Sequence, residues 1–195
     1  SATCIKTCTE EYNGTAWAAG GALINKRGLT AASSGGTQNA SFVAAGYNPA
    51  ALSFTEEYNG TAWAAATAFP AATYGAGGTG TVNAGLVSGG YNNAYTTDVK
   101  EYDGSSWSNG GSLSGARGLA ASVGTQNDTV FIAGLGSGYC SSTEEYNGTA
   151  WASGTSAPSG NIAYSCGAGV GAYDALAMGG YAPGAYRNYA QKYDG

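Results

Sequence analysis

The sequence predicts an all-β fold, a β-propeller of about four blades with four short antiparallel strands in each. The first observation is a repeated phrase: TEEYNGTAW occupies 9–17, 55–63 and 143–151, VKEYDGSSW occupies 99–107, and a shortened copy, QKYDG, occupies 191–195. The second is its period. Tyr12, Tyr58, Tyr102, Tyr146 and Tyr193 are spaced by 46, 44, 44 and 47 residues, and Trp17, Trp63, Trp107 and Trp151 by 46, 44 and 44. The third is texture: runs of about five apolar residues alternate with glycine-marked turns, and no amphipathic helical period is present. Four-stranded units of roughly 45 residues are the size of propeller blades.

Within one period the elements follow in order. RGLAASVG at 117–124 is small and apolar, as an innermost strand at a narrow axis must be. TVFIAG at 129–134 is β-branched and aromatic, TEEY at 143–146 alternates, and AWASG at 150–154 opens on the tryptophan. The Asn-Gly or Asp-Gly between the last two predicts a two-residue type I′ hairpin, with positive φ at both positions. The loops GTQN at 36–39, GTVN at 80–83, GTQN at 124–127 and GAYD at 171–174 keep step, and each leads into an apolar run that reaches a glycine. The Tyr strand occurs five times and the others four, so one Tyr strand is doubled or displaced where N- and C-terminal segments close the ring. The expected organisation is one domain, 1–195, with repeats at 17–62, 63–106, 107–150 and 151–195 and residues 1–16 completing the last blade. The alternative is a segment of a longer array.

The pattern of a paired glycine, then Tyr-Asn/Asp-Gly, then Trp resembles the kelch repeat, in which the diglycine ends the second strand, the Tyr lies in the third and the Trp in the fourth; Gly89-Gly90 and Gly179-Gly180 match its diglycine. Gly46 stands alone, and Gly134 precedes Leu135. Arg27 and Arg117, each ten residues after its Trp, stand where kelch repeats carry an arginine before the first strand, and Thr73 and Asn161 hold that place in the other two repeats. The wording of residues 101–127, EYDGSSWSNGGSLSGARGLAASVGTQN, is also similar to kelch-like repeat proteins of marine bacteriophages, found among proteins ascribed to the virion. The resemblance implies a non-enzymatic interaction or surface module, on the virion or extracellular, that decorates a particle or touches a host. Its partners would be other virion proteins or host-surface glycans and proteins, with a homo-oligomer as one assembly. The alternative is a carbohydrate-binding, lectin-like propeller with several similar weak sites.

Composition narrows the chemistry. Seven basic against twelve acidic residues give a net charge of -5, and no Lys or Arg cluster exists to bind a nucleic-acid backbone. No stretch approaches the roughly 18 apolar residues of a membrane helix. With no His in the chain, Ser-His-Asp triads, His-containing zinc sites and the copper-radical chemistry of some kelch oxidases are excluded. Cys4, Cys8, Cys140 and Cys166 are spaced too unevenly for a four-cysteine zinc site, so neither a metal nor a cofactor is expected. Four cysteines allow three pairings, and a bond from the N-terminal segment to Cys140 or Cys166 would tie the start of the chain to its last quarter; free buried thiols are the alternative.

The acidic pairs at 10/11, 56/57 and 144/145 place neighbouring carboxylates on opposite faces of a strand, so neither pair member can join the other in acid-base catalysis. They read as solvated charges that discourage edge pairing. Two groups of residues remain as a candidate binding surface. Gln38, Asn39, Asn83, Gln126, Asn127 and Asp174 lie in the repeated loops and would ring the axis with amide and carboxylate groups. Tyr47, Tyr91, Tyr139 and Tyr181 follow the second strands and would offer stacking surfaces. Amides beside tyrosines suit sugar hydroxyls and flat protein contacts alike. The alternative is that the amides satisfy loop backbones and the tyrosines pack between blades.

Overall fold

A computed structural model describes residues 5–158 and 160–195. No helix occurs among them. Strands β1 (Glu10–Tyr12) and β2 (Trp17–Ala19) form an N-terminal hairpin. Blade 1 follows with β3 (Ala31–Ala32), β4 (Ser41–Ala44), β5 (Thr55–Tyr58) and β6 (Trp63–Ala66). Blade 2 contains β7 (Gly77–Thr81), β8 (Ala84–Ser88), a rim hairpin β9 (Tyr91–Asn92) and β10 (Ala94–Tyr95), then β11 (Val99–Tyr102) and β12 (Trp107–Asn109). Blade 3 contains β13 (Ala121–Thr125), β14 (Asp128–Leu135), β15 (Tyr139–Tyr146) and β16 (Trp151–Gly154). Blade 4 contains β17 (Cys166–Gly171), β18 (Asp174–Met178), a rim hairpin β19 (Tyr181–Ala182) and β20 (Ala185–Tyr186), and β21 (Ala190–Tyr193). Every pairing is antiparallel and every blade runs outward in chain order, so the chain is a four-bladed β-propeller.

The inner strands are small because they crowd the axis. A Cβ on Gly78 would lie 2.5 Å from the Ala32 nitrogen, and the Gly35 N–H donates to Gly80 O at 3.0 Å. A backbone belt ties the blades together: Gly75 N–H donates to Leu29 O at 2.8 Å, Leu119 N–H to Gly75 O at 2.6 Å and Tyr164 N–H to Leu119 O at 2.6 Å. Leu29, Gly75, Leu119 and Tyr164 all take positive φ, of 52°, 66°, 56° and 60°.

The repeated phrase builds the joints between blades. After the first copy, each Tyr hydroxyl donates to the Glu that immediately precedes the Tyr of the unit before: Tyr58 to Glu11, Tyr102 to Glu57 at 2.5 Å, Tyr146 to Glu101 at 2.7 Å, and Tyr193 to Glu145. Each indole N–H after the first follows suit, Trp63 to Thr9 Oγ1 at 3.0 Å, Trp107 to Thr67 O at 3.0 Å and Trp151 to Gly111 O at 2.8 Å. Tyr and Trp of one hairpin pack together, most closely in blade 2, where the Tyr102 and Trp107 rings stack at 4.6 Å beside Phe42.

Four sequence readings are corrected by the structure. The Asn-Gly turn is a four-residue loop, since Tyr58 pairs with Trp63 and Tyr146 with Trp151. Asn59 Oδ1 accepts the N–H groups of Thr61 and Ala62, a side-chain cap that leaves positive φ to Gly60 alone. The diglycine is retained as a backbone shape in all four blades: Ala45-Gly46 and Ala133-Gly134 adopt φ of 60°/115° and 60°/116°, against 64°/108° at Gly89-Gly90 and 63°/106° at Gly179-Gly180. Glu56 and Glu144 are buried rather than solvated, paired with Arg27 at 2.8 Å and with Arg117. Finally, the place of Thr73 and Arg117, whose carbonyls accept from Gly46 and Gly90, is held in blade 4 by Ile162, which accepts from Gly134, and not by Asn161.

The doubled Tyr strand is accommodated by giving β21 the edge of β18, with Tyr193 opposite Ala175. Residues 10–19 pair only with each other and add no strand to blade 4. Among the described residues the seam between blades 4 and 1 stays unsealed: the backbone belt has no bond from Leu29 N–H to Tyr164 O, and blade 4 exposes Val170 by 72% and Leu176 by 40%.

Candidate functional site

Strand connectivity sorts the candidate residues onto two opposite rims. Gln38, Asn39, Asn83, Gln126 and Asn127 lie in two-residue turns between first and second strands, and Asp174 opens β18 beside the corresponding turn. These turns share a rim with the Asn-Gly loops, because Asn39, Asn83 and Asn127 sit against Gly60, Gly104 and Gly148. Tyr47, Tyr91, Tyr139 and Tyr181 lie on the other rim. All eight residues of β14 separate Asn127 from Tyr139, roughly 25 Å at about 3.3 Å per residue. The two groups therefore cannot touch one small ligand.

On the turn rim the glutamines are engaged in structure. Gln126 Nε2 donates to Gly85 O at 3.0 Å and Tyr102 O at 3.2 Å, and Gln38 Nε2 donates to Glu11 at 3.1 Å. Asn39, Asn83, Asn127 and Asp174 are exposed. A cleft of about 320 Å³ between blades 3 and 4 includes Asn127, but its Glu145 already accepts from Tyr193 and its Asp128 accepts the Ala172 N–H at 3.1 Å.

The opposite rim gathers tyrosines. Ring centroids run Tyr47 to Tyr74 at 5.1 Å, Tyr74 to Tyr91 at 5.3 Å and Tyr91 to Tyr95 at 5.0 Å; across the axis Tyr139 lies 5.9 Å from Tyr181, which lies 5.3 Å from Tyr186. Tyr139, Tyr164, Tyr181 and Tyr186 line an open cleft of about 330 Å³. Its rings are tilted at 49° and 69° to one another, so they form walls and an edge rather than a flat plate. Burial, and then the neighbouring phenols Tyr164, Tyr74 and Tyr91, push the Tyr95 hydroxyl up to about 12. Burial also raises Tyr74 and Tyr139.

Sequence reading placed Tyr47, Tyr91, Tyr139 and Tyr181 but missed Tyr74, Tyr164, Tyr95 and Tyr186. Tyr164 stands at the belt position held by Leu29, Gly75 and Leu119, with Tyr74 one residue before it in blade 2. Tyr95 and Tyr186 close the rim hairpins YNNAY and YAPGAY by pairing with Tyr91 and Tyr181. A second tyrosine four or five residues after the first was the available signal.

Cys8, Cys140 and Cys166 are unpaired, so no disulfide joins these three; Cys4 lies outside the described residues. Among the described residues no three His, Cys, Asp or Glu side chains group as metal ligands. No protein-family model matches the chain, and no curated protein matches it.

Buried phenols set the alkaline limit of the fold. Tyr193 is held up to about 12 by burial first and by its bond to Glu145 second, and Tyr58, Tyr102 and Tyr146 are shifted in the same direction. A phenol that stays protonated above its ordinary pKa of 10.0 adds stability that is intact below pH 10 and is lost as pH rises towards about 12. Urea midpoints should be flat below that window and fall across it, in step with tyrosinate absorbance. A midpoint that is unchanged up to pH 12 would contradict the buried Tyr–Glu joints.

Proposed function

We propose that this propeller is a non-enzymatic interaction module whose working surface is the tyrosine rim. The observation that carries the proposal is the convergence of eight tyrosines on one rim, four of them around a single cleft. Tyrosine offers large contact area at a low cost in conformational freedom, and its hydroxyl bonds a partner's polar edge.

The cleft favours carbohydrate as that partner. A sugar ring has an apolar C–H face and a hydroxyl edge, which suit an aromatic wall and phenolic hydroxyls in turn. A single open cleft of about 330 Å³ would bind weakly, and a multivalent glycan surface would compensate through avidity. A place on a virion or another extracellular surface, and kinship with kelch repeats, rest on the wording of the repeat; detection of the chain in purified phage particles would test the former.

Tyr181 contacts both Tyr139 and Tyr186, so Tyr181→Ala opens the cleft on two sides. On a glycan array, binding should fall at least fivefold in this variant, the equivalent of about 1 kcal/mol for one aromatic contact. Hydrolysis or oxidation of any array substrate would overturn the non-enzymatic reading, and full binding by Tyr181→Ala would overturn the choice of rim.

A further inference from the structure

The N-terminal hairpin carries the same anchors as every blade, yet they are not used in the same way. Tyr12 is 47% exposed and Trp17 68% exposed, whereas Tyr58, Tyr102, Tyr146 and Tyr193 are buried. The Tyr12 hydroxyl donates locally to Gly14 O and not to a glutamate of another unit. Glu11, however, already accepts from Tyr58, as Glu57 accepts from Tyr102 and Glu101 from Tyr146. Relative to blade 1, the hairpin therefore stands where the outer half of the preceding blade belongs. In a ring of four, the preceding blade is blade 4.

Blade 4 has three strands, and its third place is taken by β21. This occupant fits the place poorly towards the seam. At the residue before its Tyr it carries Lys192, where Glu11, Glu57, Glu101 and Glu145 accept the next phenol. The face beside it leaves Val170, Leu176 and Met178 exposed. By register Leu176 is the counterpart of Phe42, since Leu176 opposes Lys192 and Phe42 opposes Glu57, and Phe42 is fully buried by the next blade.

We propose that the edge of β18 is a docking surface for the chain's own β1–β2 hairpin, which exchanges with β21 and thereby closes the ring. In the exchanged form Tyr12 opposes Ala175 and Glu10 opposes Ala177, the register that β21 now holds with Tyr193 and Gln191. Blade 4 gains a fourth strand from β2, Tyr12 comes within reach of Glu145 in place of Tyr193, and Leu29 N–H faces Tyr164 O to complete the belt. Tyr12 and Trp17 become buried, while residues 190–195 are released as a free strand that can pair elsewhere.

The test is cross-linking in full-length chain with all four cysteines replaced by serine. Glu10→Cys with Ala177→Cys reports the exchanged register, and Gln191→Cys with Ala177→Cys reports the register seen here. Antiparallel partners lie about 4.5–5.5 Å apart at Cα, within disulfide range. Both pairs should oxidise within a single chain. Closure of the 191/177 pair alone, with the 10/177 thiols left free, would overturn the proposal, and so would a 10/177 bond formed only between chains. Hydrogen exchange on the unaltered protein gives an answer that does not depend on the cysteine variants. Two isotopic populations are expected over 190–193, one protected and one open, and uniform protection there with a freely exchanging 10–12 would overturn the exchange.

Discussion

Glu144→Ala should be among the most damaging single substitutions of a charged residue, alongside the equivalent Glu56→Ala. Arg117 is buried between blades 2 and 3, with its guanidinium 5.0 Å from the Phe131 ring and bonded to Glu144, Gly115 O and Ala133 O. Removing the carboxylate leaves a buried cation without its counter-charge, which costs about 3–5 kcal/mol. For a chain of this size the melting temperature should fall by roughly 10 °C. The repeat supplies its own control. Blade 2 holds Thr73 and Lys100 at the equivalent positions, and blade 4 holds Ile162 and Gln191, so arginine and acid are lost together. The double variant Arg117→Ile with Glu144→Gln copies blade 4 and should recover at least half of the loss, because it removes charge and counter-charge together. Thermal melts of the single and double variants check both statements; a double variant no better than Glu144→Ala would show that the ion pair is not the source of the cost.

Phe42→Ala should cost a similar amount by a different route. Phe42 is fully buried, 5.8 Å from the Tyr102 ring and 6.2 Å from the Trp107 ring, and it fills the joint between blades 1 and 2. Truncation removes apolar contact and leaves a cavity, for about 3–5 kcal/mol. Leu176, its counterpart in blade 4, is 40% exposed, and Leu176→Ala should cost below about 1 kcal/mol if the seam is open as seen here. Denaturant titration of both variants therefore measures two joints of one propeller. A loss at Leu176 as large as at Phe42 would mean that the seam is closed for most of the time.

What the sequence made legible follows from which interactions repeat. The period of Tyr and Trp revealed the blades because each copy makes the same joint, and small inner strands followed from crowding at the axis. The turn type was not legible: Asn-Gly is compatible with a two-residue hairpin, and only the cap from Asn Oδ1 to two N–H groups selects the longer loop. The buried ion pairs were half visible, since Arg27 and Arg117 occur only in repeats whose third strand has two glutamates. The diglycine was obscured because Ala45 and Ala133 adopt a conformation that glycine adopts freely, which no letter announces. The candidate residues were joined in one surface that the structure divides, for a geometric reason. Residues before and after a strand are near in sequence but lie at opposite rims, so amides and tyrosines that alternate along the chain never share a surface.

The claim that matters most is that the tyrosine rim, and not the amide rim, is the working face. It is tested most directly on one glycan array with wild-type protein, Tyr181→Ala, and a turn-rim variant carrying Asn39→Ala, Asn83→Ala and Asn127→Ala. All three turn-rim asparagines are exposed. The predicted result is binding retained by the turn-rim variant and reduced at least fivefold by Tyr181→Ala. Binding lost with the three asparagines and kept without Tyr181 would contradict the account.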